Sequence, residues 1–303
     1  MEAIVAIVGF LGAGKTTLLK QLVSCYIDAG WDPFVILNDY ENAYLDAQQL
    51  DARMESKGIK PLSGSCICCS GIAELREYVN RIPKRENGIT LIEANGTTDA
   101  CELMGFLGVG IDERFLPPIQ VSVVDIKNWQ QRGEHNELEE NQVKVSSLIV
   151  LNHIEDVSAA RQALVTKGLI ELNTNARILT TDELDISHLP KLSPSENKTD
   201  EFDHSKAHWA SCSVDLPNFP DIACIHDICD ALPPLLLRVK GFTYVIGASA
   251  NIYFERCPDG EVSIRPFNGT SLTSPKLLTV GPGSDPGSLR KVVAESLELA
   301  KLR

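Results

Sequence analysis

Near its N-terminus the chain reads Gly9-Phe-Leu-Gly-Ala-Gly-Lys15-Thr16-Thr17, an instance of G-x-x-x-x-G-K-[ST]. Upstream, Ala3 to Val8 is an unbroken apolar run, which predicts a strand. Downstream, Leu18, Leu19, Leu22, Val23 and Tyr26 recur at helical spacing, which predicts a helix over 15–29. Strand, glycine loop and helix in that order are the setting in which this motif cradles phosphate. The residue types follow from the chemistry. Glycines let backbone N–H groups curl around phosphate oxygens without Cβ clashes, and the helix N-terminus adds partial positive charge. Lys15 is expected to reach the β- and γ-phosphates, and the small neutral hydroxyl of Thr16 to ligate Mg²⁺. The predicted nucleotide contacts here are Gly9, Gly12, Ala13, Gly14, Lys15, Thr16 and Thr17.

Outward from the loop, apolar runs rich in β-branched residues at 33–37, 89–92, 120–124, 148–151 and 177–180 predict further strands. Helical patterns at 137–145 and 158–172 lie between them, so the first half reads as stacked βαβ units. The expected fold is α/β, a P-loop NTPase with a mainly parallel sheet over 1–190. A polar stretch without hydrophobic period predicts a linker at 191–207. A smaller α+β domain is expected at 208–303, with helices near 222–232 and 289–302 and strands near 236–246, 251–256 and 261–266.

Composition bounds the possibilities. The 303 residues carry 28 Lys plus Arg against 41 Asp plus Glu, a net charge of -13. That mean field repels phosphate backbones and anionic lipid, so neither nucleic acid nor membrane is an expected partner. No apolar run approaches the roughly 20 residues that span a bilayer, and 3–8 lacks the basic leader of a signal peptide. The expected location is the cytoplasm. A reducing compartment disfavours a disulfide framework. Cys25, Cys101, Cys212, Cys224, Cys229 and Cys257 therefore read as small buried hydrophobes.

Two further elements complete a nucleotide site. After the strand at 89–92 comes Glu93-Ala-Asn-Gly96. A strand-end acid beside a phosphate loop holds Mg²⁺, directly or through water, and a glycine three residues on can offer its N–H to the γ-phosphate. Glu93 and Gly96 are assigned these roles, with Asp125, at the end of the strand at 120–124, as the alternative acid. The strand at 148–151 runs into Asn152-His153-Ile154-Glu155. GTPases usually carry N-K-x-D there, the aspartate accepting two hydrogen bonds that guanine supplies and adenine cannot. Asn152 fits, His153 replaces the lysine and can stack on a purine, and Glu155 can still accept both bonds. GTP is expected over ATP.

The second strong signal is Ser63-Gly-Ser-Cys66-Ile-Cys68-Cys69-Ser-Gly71. Three thiols within four positions, ahead of a helix predicted at 72–79, can converge on one soft cation as thiolates. Zn²⁺ or Cu(I) suits them, and three sulfurs leave a fourth position open. The rival is a redox pair, since Cys66 and Cys69 satisfy C-x-x-C. His204 and His208 read as a solvated linker pair, and 134–140 as a solvated helical face carrying His135.

These motifs together resemble the CobW-type family of P-loop GTPases, relatives of the urease and hydrogenase nickel-insertion GTPases. The family reads G-F-L-G-[AS]-G-K-T-T-L-L where this chain has 9–19. Its G-C-x-C-C is matched at 65–69 with Ser65 in place of glycine, its I-E-x-x-G at 92–96, and its R-x-K-G-hydrophobic at Arg238-Val-Lys-Gly-Phe242. The resemblance implies GTP hydrolysis coupled to delivery of a transition metal to a client protein, with the cysteines holding the metal, zinc foremost. The family's first switch, N-E-F-G-E, corresponds to Asn38-Asp39-Tyr40-Glu41-Asn42. Asp39 and Glu41 are thus candidates for Mg²⁺, the attacking water or the cargo metal. No arginine finger is evident, so slow intrinsic turnover is expected. Two other readings stand beside this one: a P-loop small-molecule kinase with a structural zinc site, and a metal-binding scaffold that does not hydrolyse nucleotide. Oligomeric state is open at this level.

Overall fold

The computed structural model describes residues 1–38, 50, 54, 58–62, 72–155, 157–195, 211–234, 236, 238–256, 260–266, 275–281 and 284–303. The chain divides into two compact units, Met1–Ala207 and His208–Arg303.

The first unit is built on a parallel sheet of β1 (Ala3–Val8), β2 (Asp32–Asn38), β3 (Ile59–Leu62), β4 (Gly88–Glu93), β5 (Ile119–Asp125), β6 (Leu148–Asn152) and β7 (Arg177–Thr180). Their order across the sheet is β3-β2-β4-β1-β5-β6-β7. The helices are α1 (Lys15–Asp28), α2 (Ile72–Arg81), α3 (Ala100–Leu107), α4 (Asn136–Lys144) and α5 (Ala159–Leu172). Every residue of β1 is buried, and the period-2 alternation of a strand serves two cores. Ala3, Val5 and Ile7 pack with Leu18, Leu19, Leu22, Val23 and Tyr26 of α1. Ile4, Ala6 and Val8 pack with Leu75 and Val79 of α2 and Leu103 and Leu107 of α3. That double burial explains why β1 reads as a continuous apolar run rather than an alternating one.

The topology places the site. From β1 the chain first builds β2 to β4 on one side, then β5 to β7 on the other. The carboxyl end of β1 is therefore a switch point, where open α/β sheets leave a crevice for ligands. At its other end, the buried Glu2 carboxylate takes Arg85 Nη2 at 2.7 Å and Arg114 Nη1 at 3.2 Å.

The sequence pattern does not announce β3 or α3. β3 has only four residues and includes Pro61, which an edge strand tolerates. α3 is eight residues long, and Asp99 Oδ1 accepts the Glu102 N–H at 3.0 Å to cap its start. After β7 a 3₁₀ segment, Ile186–Lys191, follows, and Leu189 and Leu192 join the first core. Leu192, expected within the linker, thus packs against the core of the first unit.

The second unit carries an antiparallel sheet of β8 (Ser211–Asp215), β9 (Arg238–Thr243), β10 (Ile252–Arg256), β11 (Val262–Pro266) and β12 (Lys276–Val280), ordered β11-β10-β9-β12-β8. Helices α6 (Ala223–Ala231) and α7 (Pro286–Leu302) share its core, Ile225, Ile228, Leu289 and Val293 meeting Val214, Val239, Phe254 and Leu277. Gly241 of the R-x-K-G motif lies opposite Phe254, and a Cβ there would stand 2.0 Å from the Phe254 ring. The ring covers the glycine, which accounts for the residue type. Buried Arg256 donates to the carbonyls of Cys229, Leu232, Pro233 and Leu236, closing the C-terminal end of α6. β8 and β12, short and of mixed composition, are absent from the sequence reading. Among the described residues no helix is long and apolar enough to cross a membrane.

Candidate functional site

The loop between β1 and α1 wraps on itself. Gly12 and Gly14 take left-handed φ values of 79° and 97°. Two loop positions admit no side chain: a Cβ on Gly9 would lie 2.4 Å from Val123 O, and one on Gly14 would lie 2.1 Å from Asn152 Nδ2. The loop thereby rests directly on β5 and on the end of β6. Lys15 is 3% exposed, and its ammonium donates to Gly9 O at 2.8 Å and Phe10 O at 3.0 Å. It is held over the loop by the loop's own carbonyls. Thr17 follows on the exposed side of the first turn of α1.

Thr16 and Glu93 meet. The Thr16 hydroxyl donates to Glu93 Oε1 at 2.7 Å, across from α1 to the end of β4. A neutral hydroxyl and a carboxylate side by side at a phosphate loop are the oxygen donors that Mg²⁺ takes. The following loop presses onto the phosphate loop, since a Cβ on Gly96 would lie 2.7 Å from Leu11 N. Loop, cation donors and Gly96 are thus drawn into one crevice.

Asp125, the alternative acid, is committed elsewhere. Its Oδ1 accepts the Lys127 N–H at 3.1 Å and lies 3.0 Å from His153 Nδ1; its Oδ2 takes Asn128 Nδ2 and Arg132 Nη2, each at 2.9 Å. Burial alone would raise its pKa. Hydrogen bonds to His153 and Asn128 and the charges of His153 and Arg132 outweigh that and hold the carboxyl down at about 2.

On the base side, Asn152 Nδ2 donates to Ala13 O at 2.9 Å and ties the end of β6 to the phosphate loop. His153 adopts a left-handed φ of 59° and turns its ring to Asp125. Glu155 lies exposed on the same turn. The predicted pair Asn152 and Glu155 therefore share one turn, while His153 is engaged by a carboxylate that the sequence reading assigned to a different role.

Several residues near the loop were not anticipated. Arg132 joins Asp125 to Glu139, with Nε 3.4 Å from Glu139 Oε1, and its guanidinium lies 4.9 Å from the centre of the Phe10 ring. The His135 ring stacks on Phe10 at 6.2 Å. His135 and Glu139, expected on a solvated face, are instead turned inward: their side chains are 12% and 3% exposed. Arg132, which follows a left-handed turn at Gln130 with φ 59°, supplies the charge that lets Glu139 be buried. Burial pushes the Glu139 carboxyl up to about 7, with Arg132 opposing. The two acids are thus pushed in opposite directions, Asp125 down chiefly by its hydrogen bonds to His153 and Asn128 and Glu139 up by burial. Nothing in residue spacing marks this cluster, because it depends on a loop turning back over Phe10.

The candidate metal ligands Asp39, Glu41, Cys66, Cys68 and Cys69 lie outside the described residues, as do His204 and His208. The strands preceding them in sequence are described. β2 and β3 pair in parallel with Asn38 opposite Leu62, at the same end of the sheet as the phosphate loop. Among the described residues no group of three or more His, Cys, Asp or Glu side chains is placed to hold a metal. Of the isolated cysteines, Cys212, Cys224 and Cys229 are buried and Cys25 and Cys101 partly so, all free; Cys257 is outside the described residues. Burial pushes the Cys229 thiol up to about 11, as befits an inert core residue.

The sequence profile of the family described as CobW/HypB/UreG, nucleotide-binding domain, matches residues 3–180. The zinc chaperone YjiA of Escherichia coli (strain K12) is 26% identical over 192 residues, covering 61% of this chain and 58% of that protein. The zinc-regulated GTPase metalloprotein activator 1 of Dictyostelium discoideum is 25% identical over 210 residues, covering 56% of this chain and 44% of that one. The chain thus spans about half the length of these two relatives. A crystal structure of Zn(II)-bound YjiA GTPase from E. coli aligns over 97% of this chain and 98% of that one, at 19% identity and a TM-score of 0.45.

Proposed function

The chain belongs to the CobW/HypB/UreG family of P-loop GTPases, and from that premise we propose that it binds and hydrolyses GTP to control a transition-metal cargo. The backbone amides of 9–14 and Lys15 neutralise the β- and γ-phosphates. Thr16 and Glu93 would hold Mg²⁺, which would offset the negative charge of the phosphates. Gly96 offers its N–H to the γ-phosphate, and Asn152 and Glu155 face the purine, with guanine preferred. The observation that carries this reading is the 2.7 Å bond from the Thr16 hydroxyl to Glu93 Oε1, which couples the phosphate loop to the strand-end acid.

The cargo reading rests on chemistry and kinship. Cys66, Cys68 and Cys69 are soft ligands that as thiolates suit zinc or another thiophilic ion, with one coordination position left for exchange. Both curated relatives carry zinc in their names. Asp39 and Glu41 follow β2 and the cysteines follow β3, two paired strands ending beside the nucleotide crevice. A γ-phosphate that repositions the first segment can thereby alter metal affinity in the second and release the ion to a client protein in the cytoplasm. Such coupling is reciprocal by necessity: metal must change nucleotide affinity by the same factor.

The test is Mg²⁺-dependent phosphate release from GTP and ATP, for the natural chain and Glu93→Gln. Slow GTP hydrolysis that needs Mg²⁺ and Glu93 supports the proposal. Phosphoryl transfer to an added small-molecule acceptor in place of water would make the chain a kinase, and binding without turnover would make it a scaffold.

A further inference from the structure

We propose that Gln142 of α4 is a positioning residue for the γ-phosphate-sensing loop, so that GTP is told from GDP partly through this side chain. The inference rests on the nucleotide reading above and adds to it a residue in no motif. Gln142 is 2% exposed. Both N–H bonds of its side-chain amide go to the loop after β4: Nε2 donates to Gly96 O at 3.1 Å and to Thr98 O at 3.1 Å. One planar amide thus grips two carbonyls two residues apart and fixes the peptide that follows Gly96.

The rest of the loop is held in the same place. Thr98 N donates to Asn95 O at 3.0 Å and Thr97 N to Asn95 Oδ1 at 3.2 Å, closing a turn. Gly96 is packed against the backbone of Leu11. Gln142 itself has little freedom. Its main-chain carbonyl accepts Gln120 Nε2 at 2.6 Å, Ser122 Oγ at 2.6 Å and Ser146 Oγ at 2.9 Å, so three donors from β5 and the turn after α4 fix its backbone. A side chain anchored on so firm a backbone, spending both donors on the loop proposed to meet the γ-phosphate, favours the triphosphate state. The diphosphate needs the phosphate loop but not Gly96. The residue does not touch the nucleotide and acts through the Gly96 peptide.

The experiment compares affinity for GDP and for a nonhydrolysable GTP analogue, with Mg²⁺, in the natural chain, Gln142→Leu and Gln142→Glu. Loss of two hydrogen bonds predicts about a tenfold weakening of the GTP analogue in each variant, with GDP changed by about twofold or less. The near-isosteric Gln142→Glu keeps the packing and carries the test if Gln142→Leu fails to fold. Its GTP-analogue affinity should partly return at acid pH, where a neutral carboxyl again donates. Equal loss for both nucleotides, or no change for either, would overturn the proposal. Amide hydrogen exchange over 94–99 in the natural chain supplies a readout free of substitution: protection greater with the GTP analogue than with GDP is expected, and equal protection contradicts it. If the natural chain binds neither nucleotide, the nucleotide reading itself fails, and that is visible without any variant.

Discussion

The proposed phosphate half and the proposed base half of the crevice are built on different principles. On the first, the geometry rests on backbone: Gly9, Gly14 and Gly96 each sit where a Cβ would strike a neighbour. Lys15 and the pair Thr16 and Glu93 are already drawn together. On the second, the candidate base readers are side chains at one turn, and one of them, His153, is bound to Asp125. Backbone cradles permit few residue types, so their motifs stay readable. Side-chain readers can be exchanged for others of similar reach, so a motif such as Asn152-His153-Ile154-Glu155 must be judged by where its atoms lie.

The largest test of this contrast is Lys15→Ala, which removes the only side-chain cation bonded to the loop carbonyls of Gly9 and Phe10 among the described residues. Binding of both GTP and GDP by calorimetry should weaken by about a hundredfold or more. Undiminished binding would place the nucleotide elsewhere. Next, Glu93→Gln should lower turnover about a hundredfold while Mg²⁺-free nucleotide binding stays near its natural value. Gly14→Ala strikes the seam between the halves, adding a Cβ against Asn152 at a left-handed φ. A loss of roughly 1–3 kcal/mol of stability is expected on chemical denaturation of the first unit.

Smaller effects separate the halves further. Arg132→Met releases Phe10, which belongs to the loop that serves both nucleotides, so GTP and GDP should weaken together by a few-fold, about 1 kcal/mol. Glu155→Ala should leave phosphate affinity unchanged and reduce the preference for GTP over ATP by about tenfold at most. An unchanged preference would remove Glu155 from base reading. The smallest effect concerns pH. Burial raises the Glu139 carboxyl to about 7 in the folded chain, above its ordinary range. A raised acid favours folding where it is protonated, so its contribution is full below about pH 4 and is lost as pH rises through 7. Glu139→Gln should flatten that decline in thermal melts between pH 5 and 8; an identical slope would contradict the assignment.

Much of the fold was legible because burial on both faces leaves an apolar signature. β1 and α1 lie within a residue of their sequence-read limits, as do α4, α5 and the partly exposed edge strand β7, whose Ile178-Leu179 pair marks it. β3, β8 and β12 were not legible. Each is four or five residues long, and β3 and β8 also lack an apolar run, with Lys60 and Pro61 inside β3 and Ser211, Ser213 and Asp215 alternating through β8. The loop at 9–17 and Glu93 stand out in the sequence, and the fold brings Thr16 and Glu93 within hydrogen-bond reach. Arg132, His135 and Gln142 were not legible, because their partners lie far off in sequence: Phe10 for the first two and the carbonyls of Gly96 and Thr98 for the third. A buried polar side chain bonded to backbone carbonyls leaves no trace in its partner's sequence, since every residue has a carbonyl. Asp125 was read as a spare acid because strand-end position is visible in sequence and engagement by Arg132, Asn128 and His153 is not.

The central claim is that nucleotide state governs metal affinity. It is tested most directly by titrating reduced protein with Zn²⁺ against a competing chelator, with Mg²⁺ and either GDP, a nonhydrolysable GTP analogue or no nucleotide. The chain with Cys66, Cys68 and Cys69 all changed to Ser serves as control. The account predicts a tight site that vanishes in the control and shifts in affinity by about fivefold or more between the GDP and GTP-analogue states. A cysteine-dependent site with the same affinity in all three states, or no cysteine-dependent site, would contradict it.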